Sequence, residues 1–299
     1  MLLQTIVFEK ETRDIMGKIS DMKKYFEEKN IFLGISESTN LGTHFIKIFC
    51  NDVDFSDKLK NRFNLYISNI LYDIAIEEFC KDEIQHFLLD NYFFLRYDEM
   101  KEVSNRSIKI LRNEEKITDE DMVYCMNKKN DIITKIKACI DENDELNIQG
   151  FITFRMKELR EELEDIVNRV VEKYMAEKEY NEFIKLLKYF VEIQESKIDL
   201  INIIIQPNGN YEIHDKKGND IMDEIFSNLT DTKYSDSVSV EDLIISGLIT
   251  YCPEKIIIHC KENCNNKEIL DTIEKVFEER VEFCGNCKTC SSVKETVKI

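Results

Sequence analysis

Proline and glycine are scarce: two prolines and eight glycines in 299 residues leave little of the punctuation that many short strands require. That scarcity excludes a turn-rich all-β architecture and predicts a mostly helical chain. Basic charge is also short. Lys and Arg number 41 against 59 Asp and Glu, a formal net charge of -18, so the averaged field repels phosphate backbones and anionic lipid surfaces. No run of Lys and Arg interleaved with aromatics reverses this locally, and nucleic acid is not an expected partner. Long apolar runs are missing too. The most apolar stretch, residues 243–252, falls well short of the roughly twenty residues a membrane-spanning helix needs, and Ser246, Gly247 and Thr250 interrupt it. Residues 1–9 carry neither a basic leader nor a small-residue cleavage site. A cytoplasmic protein with no membrane association is the expectation.

Catalytic signatures are equally thin. The chain has no glycine-rich phosphate loop, no Gly-x-Ser-x-Gly elbow and no His-Glu-x-x-His, and only four histidines that could act as bases near neutral pH. Glu83 and His86 stand one helical turn apart, as in carboxylate-bridged di-iron bundles, but those need two such pairs and none of the other histidines has a glutamate three residues before it. Asp141, Asn143 and Glu145 open like a calcium loop, yet Leu146 occupies the glycine position and Ile152 the bidentate glutamate position. The parts of the common hydrolase and nucleotide chemistries are therefore absent.

What is present is a balance of 43% hydrophobic and 33% charged residues, enough to bury a sizeable core. Residues 2–9 read as a strand, Ile15, Ile19, Met22 and Phe26 recur at helical spacing, and two strand-like runs flank Asn40-Leu41-Gly42. These form an N-terminal α/β cap over residues 1–53. Residues 54–198 keep a 3.6-residue period almost throughout, with Phe63, Ile67, Ile70, Leu71, Ile74 and Phe79 lining the first long helix. Phe183, Leu186, Leu187, Phe190 and Ile193 are expected to line the core face of the last. Beyond that, residues 200–205 and 211–214 flank Pro207-Asn208-Gly209 as a β-hairpin. A helix over 241–251, a buried strand over 255–259, a helix over 267–279 and a strand near 280–284 complete a C-terminal α/β unit over residues 199–299. The predicted fold class is α+β, predominantly helical.

Ten cysteines divide by position. Cys50, Cys80, Cys125 and Cys139 are scattered among apolar residues as inert packing groups, whereas the other six crowd toward the C-terminus. In a reducing compartment clustered thiols serve as metal ligands more readily than as disulfides. Cys284-Gly-Asn-Cys287-Lys-Thr-Cys290 has the two-residue spacing that lets thiolates reach one ion, and Gly285 and Asn286 tolerate the tight turn this requires. Zinc is the expected metal. Cys284, Cys287 and Cys290 supply three ligands and Cys264 the fourth, with Cys260 and His259 as alternatives. An iron-sulfur cluster is a rival, but the cysteine and proline that follow in bacterial ferredoxins would fall at Lys294 and Glu295. A dithiol redox couple is another, although no helix start that would lower a thiol pKa is predicted there.

Four phrases in order carry a resemblance: residues 151–158 (Phe-Ile-Thr-Phe-Arg-Met-Lys-Glu), 177–184 (Glu-Lys-Glu-Tyr-Asn-Glu-Phe-Ile), 187–197 (Leu-Lys-Tyr-Phe-Val-Glu-Ile-Gln-Glu-Ser-Lys) and 241–246 (Glu-Asp-Leu-Ile-Ile-Ser). They resemble the sporulation protein YtxC family of spore-forming bacteria, best over the second half of the chain. The resemblance implies a cytoplasmic bacterial protein associated with sporulation and carries over no catalytic residue or cofactor. Within these phrases Tyr180, Tyr189, Gln194 and Lys197 place polar tips on apolar stems, which suits a groove for a protein partner. The expected function is a non-enzymatic adaptor or regulator with a zinc clip. The alternative is an enzyme whose site lies between the helical region and the C-terminal unit.

Overall fold

The computed structural model describes residues 1–9, 15–112, 114, 119–227 and 239–295. It is α+β and mostly helical, in two compact units, Met1–Met175 and Ala176–Ile299.

In the first unit a four-stranded sheet has the order β2-β3-β1-β4, from β1 (Leu2–Glu9), β2 (Leu33–Asn40), β3 (Thr43–Cys50) and β4 (Glu145–Asn147). β1 is antiparallel to β3, with Thr5 opposite Lys47, and parallel to β4, with Ile6 opposite Leu146. The helices of this unit are α1 (Ile15–Glu27), α2 (Asp57–Glu78), α3 (Ile84–Asn91), α4 (Tyr97–Leu111), α5 (Asp119–Glu142) and the first part of α6 (Ile148–Ile193). Ser56 starts α2 by accepting the Leu59 amide at 3.2 Å, which satisfies one of the donors a helix start leaves open. A π-helical turn, Phe79–Glu83, joins α2 to α3.

One core runs through the expected cap and the expected helical region. Ile19, Met22, Phe26, Ile46 and Ile48 share it with Phe63, Leu71, Leu163 and Val167. The two compact units divide inside α6, at Met175/Ala176. β4 was not expected. The sequence reading places no strand at residues 145–147, but Leu146 is buried and the segment closes the sheet edge beside β1.

The second unit is a sheet of order β6-β5-β7-β8, built from β5 (Leu200–Ile205), β6 (Tyr211–His214), β7 (Lys255–His259) and β8 (Val281–Phe283). β5 and β6 form the expected hairpin, closed by the Gly209 amide donating to the Gln206 carbonyl at 2.8 Å with Gly209 at φ +86. β5, β7 and β8 run parallel, connected by α7 (Met222–Ser227), α8 (Val240–Tyr251) and α9 (Lys267–Phe277). Strand alternation divides the side chains: Ile201, Ile203, Ile205, Ile256 and Ile258 enter a core with Ile244, Leu248, Ile269 and Ile273. The opposite face of the same strands presents Asn202, Ile204 and His259. A last helix, α10 (Lys288–Glu295), follows Cys287 and was not expected.

The α6 face was also misjudged. Ile184, Leu187 and Val191 are the buried residues, one turn apart, whereas Phe183, Leu186, Phe190 and Ile193 are exposed. Two apolar stripes coexist on that helix, and the sequence pattern does not say which one meets the core.

Candidate metal centre

His259 is the last residue of β7, and Cys284 directly follows β8, its amide donating to the Ile258 carbonyl at 2.9 Å. Both stand at the carboxyl ends of parallel strands, where α/β sheets commonly place ligands. Cys260 takes φ +55 and ψ +43, a left-handed conformation costing a non-glycine residue about 1–2 kcal/mol, and so turns the chain away immediately after the histidine. The Lys261 ammonium then lies 4.9 Å from the Phe283 ring, tying this turn to β8. Cys287 and Cys290 bracket the first turn of α10.

These placements gather four donors. The His259 imidazole and the sulfurs of Cys284, Cys287 and Cys290 all lie within 4.8 Å of one another. Cys287 Sγ is 3.4 Å and Cys290 Sγ 3.6 Å from His259 Nδ1, while Cys290 Sγ is 3.8 Å from Cys287 Sγ and 3.7 Å from Cys284 Sγ. A zinc tetrahedron with standard bond lengths has sulfur–sulfur edges of about 3.8 Å and sulfur–nitrogen edges of about 3.6 Å. The donor set fits, and the group can hold a metal ion.

Asn202 on β5 selects the histidine's tautomer. Its amide NH2 donates to the Asp215 carbonyl at 3.3 Å, a partner that can only accept, so its Oδ1 faces His259 Nε2 at 3.2 Å. Nε2 must then carry the proton, which leaves the Nδ1 lone pair pointing at the sulfurs. This is the second shell a histidine ligand requires. His259 is only 7% exposed and Cys290 2%, whereas Cys284 and Cys287 are half-buried. The thiols are electrostatically unequal. The Cys290 backbone N–H donates to the Cys287 sulfur and pulls its pKa down to about 6, while burial pushes Cys284 up to about 11. Cys287 stands at the start of α10, a helix start that the sequence reading did not find.

Cys264 is placed elsewhere. Its thiol donates to the Asn266 carbonyl at 3.0 Å and lies 3.6 Å from the Tyr211 hydroxyl, in the core on the other face of the sheet. His259 takes the position expected for it. Strand parity was the available signal: Ile256 and Ile258 face the main core, so His259 must face the opposite side. Cys260 is buried next to Cys290, with Ile204 and Val293, outside the group of four.

The residues expected to line a partner groove do not converge. The Tyr180 hydroxyl lies 3.0 Å from the Thr272 hydroxyl and 3.3 Å from Asp271 on α9, while Tyr189, half a helical rotation away, is exposed. Gln194 uses its backbone carbonyl to accept from the Cys252 thiol at 3.8 Å, and the Lys197 amide donates to the Tyr251 carbonyl at 3.0 Å.

Fold and site together define a helical α+β protein whose second unit carries a Cys3His group. Comparison with known proteins gives the lineage: the model of the YtxC-like family matches residues 65–282, and the chain belongs to that family. The uncharacterized protein YtxC of Bacillus subtilis (strain 168) is 23% identical over 231 residues, which cover 73% of this chain and 76% of that protein. No solved structure matches. The family match includes His259 but stops two residues short of Cys284, so it speaks for the scaffold and not for the three thiols. Among the described residues no helix is long and apolar enough to cross a membrane.

Proposed function

We propose that His259, Cys284, Cys287 and Cys290 hold one zinc ion as a structural clip, in a cytoplasmic, non-enzymatic adaptor or regulator associated with sporulation. The observation that carries the metal reading is the match of four donor–donor distances to the edges of a zinc tetrahedron, with the Nδ1 lone pair turned inward by Asn202. All four positions are filled by protein donors, the pattern of structural sites; catalytic zinc keeps one position open.

A clip is needed at this place. α10 has eight residues, below the length at which an isolated helix persists in water, and among the described residues its Cys290 and Val293 are buried in a small cluster with Ile204 and Cys260. Metal binding would supply what so small a cluster does not. The adaptor reading draws support from the family resemblance and from exposed apolar side chains on α6.

Metal analysis of the reduced, full-length protein should give about one zinc per chain, lost in Cys287→Ser and His259→Ala but kept in Cys264→Ser. Trypsin should spare Lys288 in the zinc form and cleave there after chelation. A metal-free protein with an equally protected tail would contradict the clip. For the adaptor, full-length protein captured from sporulating cells should bring down a stoichiometric protein partner; recovery of the chain alone would count against it.

A further inference from the structure

The three sulfurs of the Cys3His group lie close enough together to bear on its redox chemistry. Cys290 lies at its centre, within 3.8 Å of Cys287 and 3.7 Å of Cys284. It is buried, while the other two are half-exposed, so an oxidant meets an outer thiol first with the inner one already beside it. Of the two outer thiols, Cys287 is joined to Cys290 across a single helical turn, and the Cys290 backbone N–H points at its sulfur. The two sulfurs start 3.8 Å apart, against a covalent S–S length of about 2.05 Å.

Resting on the zinc reading above, we propose that the cluster is a peroxide-sensitive switch: oxidation forms a Cys287–Cys290 disulfide, removes two of four ligands and frees the metal and the C-terminal helix. The chemistry balances on the thiols. The Cys287 sulfur attacks one oxygen of hydrogen peroxide, the O–O bond breaks, and Cys287 becomes a sulfenic acid as the departing hydroxide takes a proton to form water. The Cys290 thiolate then attacks the Cys287 sulfur, the S–O bond breaks, and the departing hydroxide takes a proton from solvent to leave as a second water. Two thiols are oxidised and one peroxide is reduced. His259 and Cys284 remain, too few to hold zinc in a closed site. Among the described residues, the small buried cluster of Ile204, Cys260 and Val293 is then left to retain α10. Thiol reductant and zinc would restore the clip.

The test uses the zinc-loaded, reduced, full-length protein titrated with hydrogen peroxide, following zinc with a chromogenic chelator and mapping disulfides by mass spectrometry after alkylation. The expected result is loss of zinc in step with a single Cys287–Cys290 disulfide, reversed by dithiothreitol plus zinc. Cys264→Ser, which leaves all four donors and the cluster around α10 in place, should behave identically. Zinc retained through the titration, or lost with sulfinic acids or with disulfides that omit Cys290, would overturn the switch while leaving the zinc reading intact. A protein that takes up no zinc before oxidation would instead refute the zinc reading, and the switch with it.

Discussion

Asn202 is the residue on which the chemistry of the site turns, because its orientation fixes the His259 tautomer. Removing it in Asn202→Ala should weaken zinc binding about 10- to 100-fold in a chelator competition, with little change in the far-UV spectrum. Unchanged affinity would mean that the histidine is oriented by something else. Cys80, outside the cluster, gives the opposite titration. Burial pushes its thiol from 9.0 up to about 11, and a folded-state value raised above the unfolded one contributes stability below pH 9 that disappears as pH climbs through 11. Alkylation of Cys80 in the native protein should therefore stay slow at pH 8 and accelerate only between pH 9 and 11; rapid labelling at pH 8 would contradict its burial. At this scale the sequence revealed what is local. The spacing of Cys284, Cys287 and Cys290 is readable because three ligands lie within one turn and one loop. The choice of His259 over Cys264 depends on which face of β7 meets the tail, a fact of the sheet.

Elements were legible where one signal acted alone. The hairpin at Pro207-Asn208-Gly209, the strand over Lys255–His259 and the N-terminal strand-helix-strand-strand order all follow from turn chemistry and period. α6 was not, because its C-terminal half carries two apolar stripes and only packing selects between them. The two leucines there make a direct test. Leu187→Ala should cost about 2–4 kcal/mol in urea unfolding, and Leu186→Ala no more than about 0.5. Equal costs would show that both stripes are covered. α10 escaped notice for a different reason: Thr289, Ser291, Ser292 and Val293 are weak helix formers, so its order comes from the cluster and not from propensity. Gly247 in α8 is a point of close approach, since a Cβ there would come within 2.2 Å of Ile225 Cγ2. Gly247→Ala should destabilise by about 1–3 kcal/mol even though alanine favours the helix. A stabilised variant would mean that Ile225 has room to move.

On the scale of the whole molecule, low proline and glycine were a sound guide to a helical α+β chain, and the change from helical to strand period located most of the second unit. Domain division was harder to read. A continuous helical pattern conceals the boundary inside α6 because backbone hydrogen bonding continues where the core does not. The family match covers residues 65–282, and the three cysteines lie just beyond it, so the metal chemistry stands on geometry. X-ray absorption at the zinc K-edge of the purified, reduced, full-length protein tests that geometry most directly. The account predicts a first shell of three sulfurs at about 2.3 Å and one imidazole nitrogen at about 2.0–2.1 Å. A shell of four sulfurs, a shell of oxygen and nitrogen alone, or no zinc in the protein would contradict it.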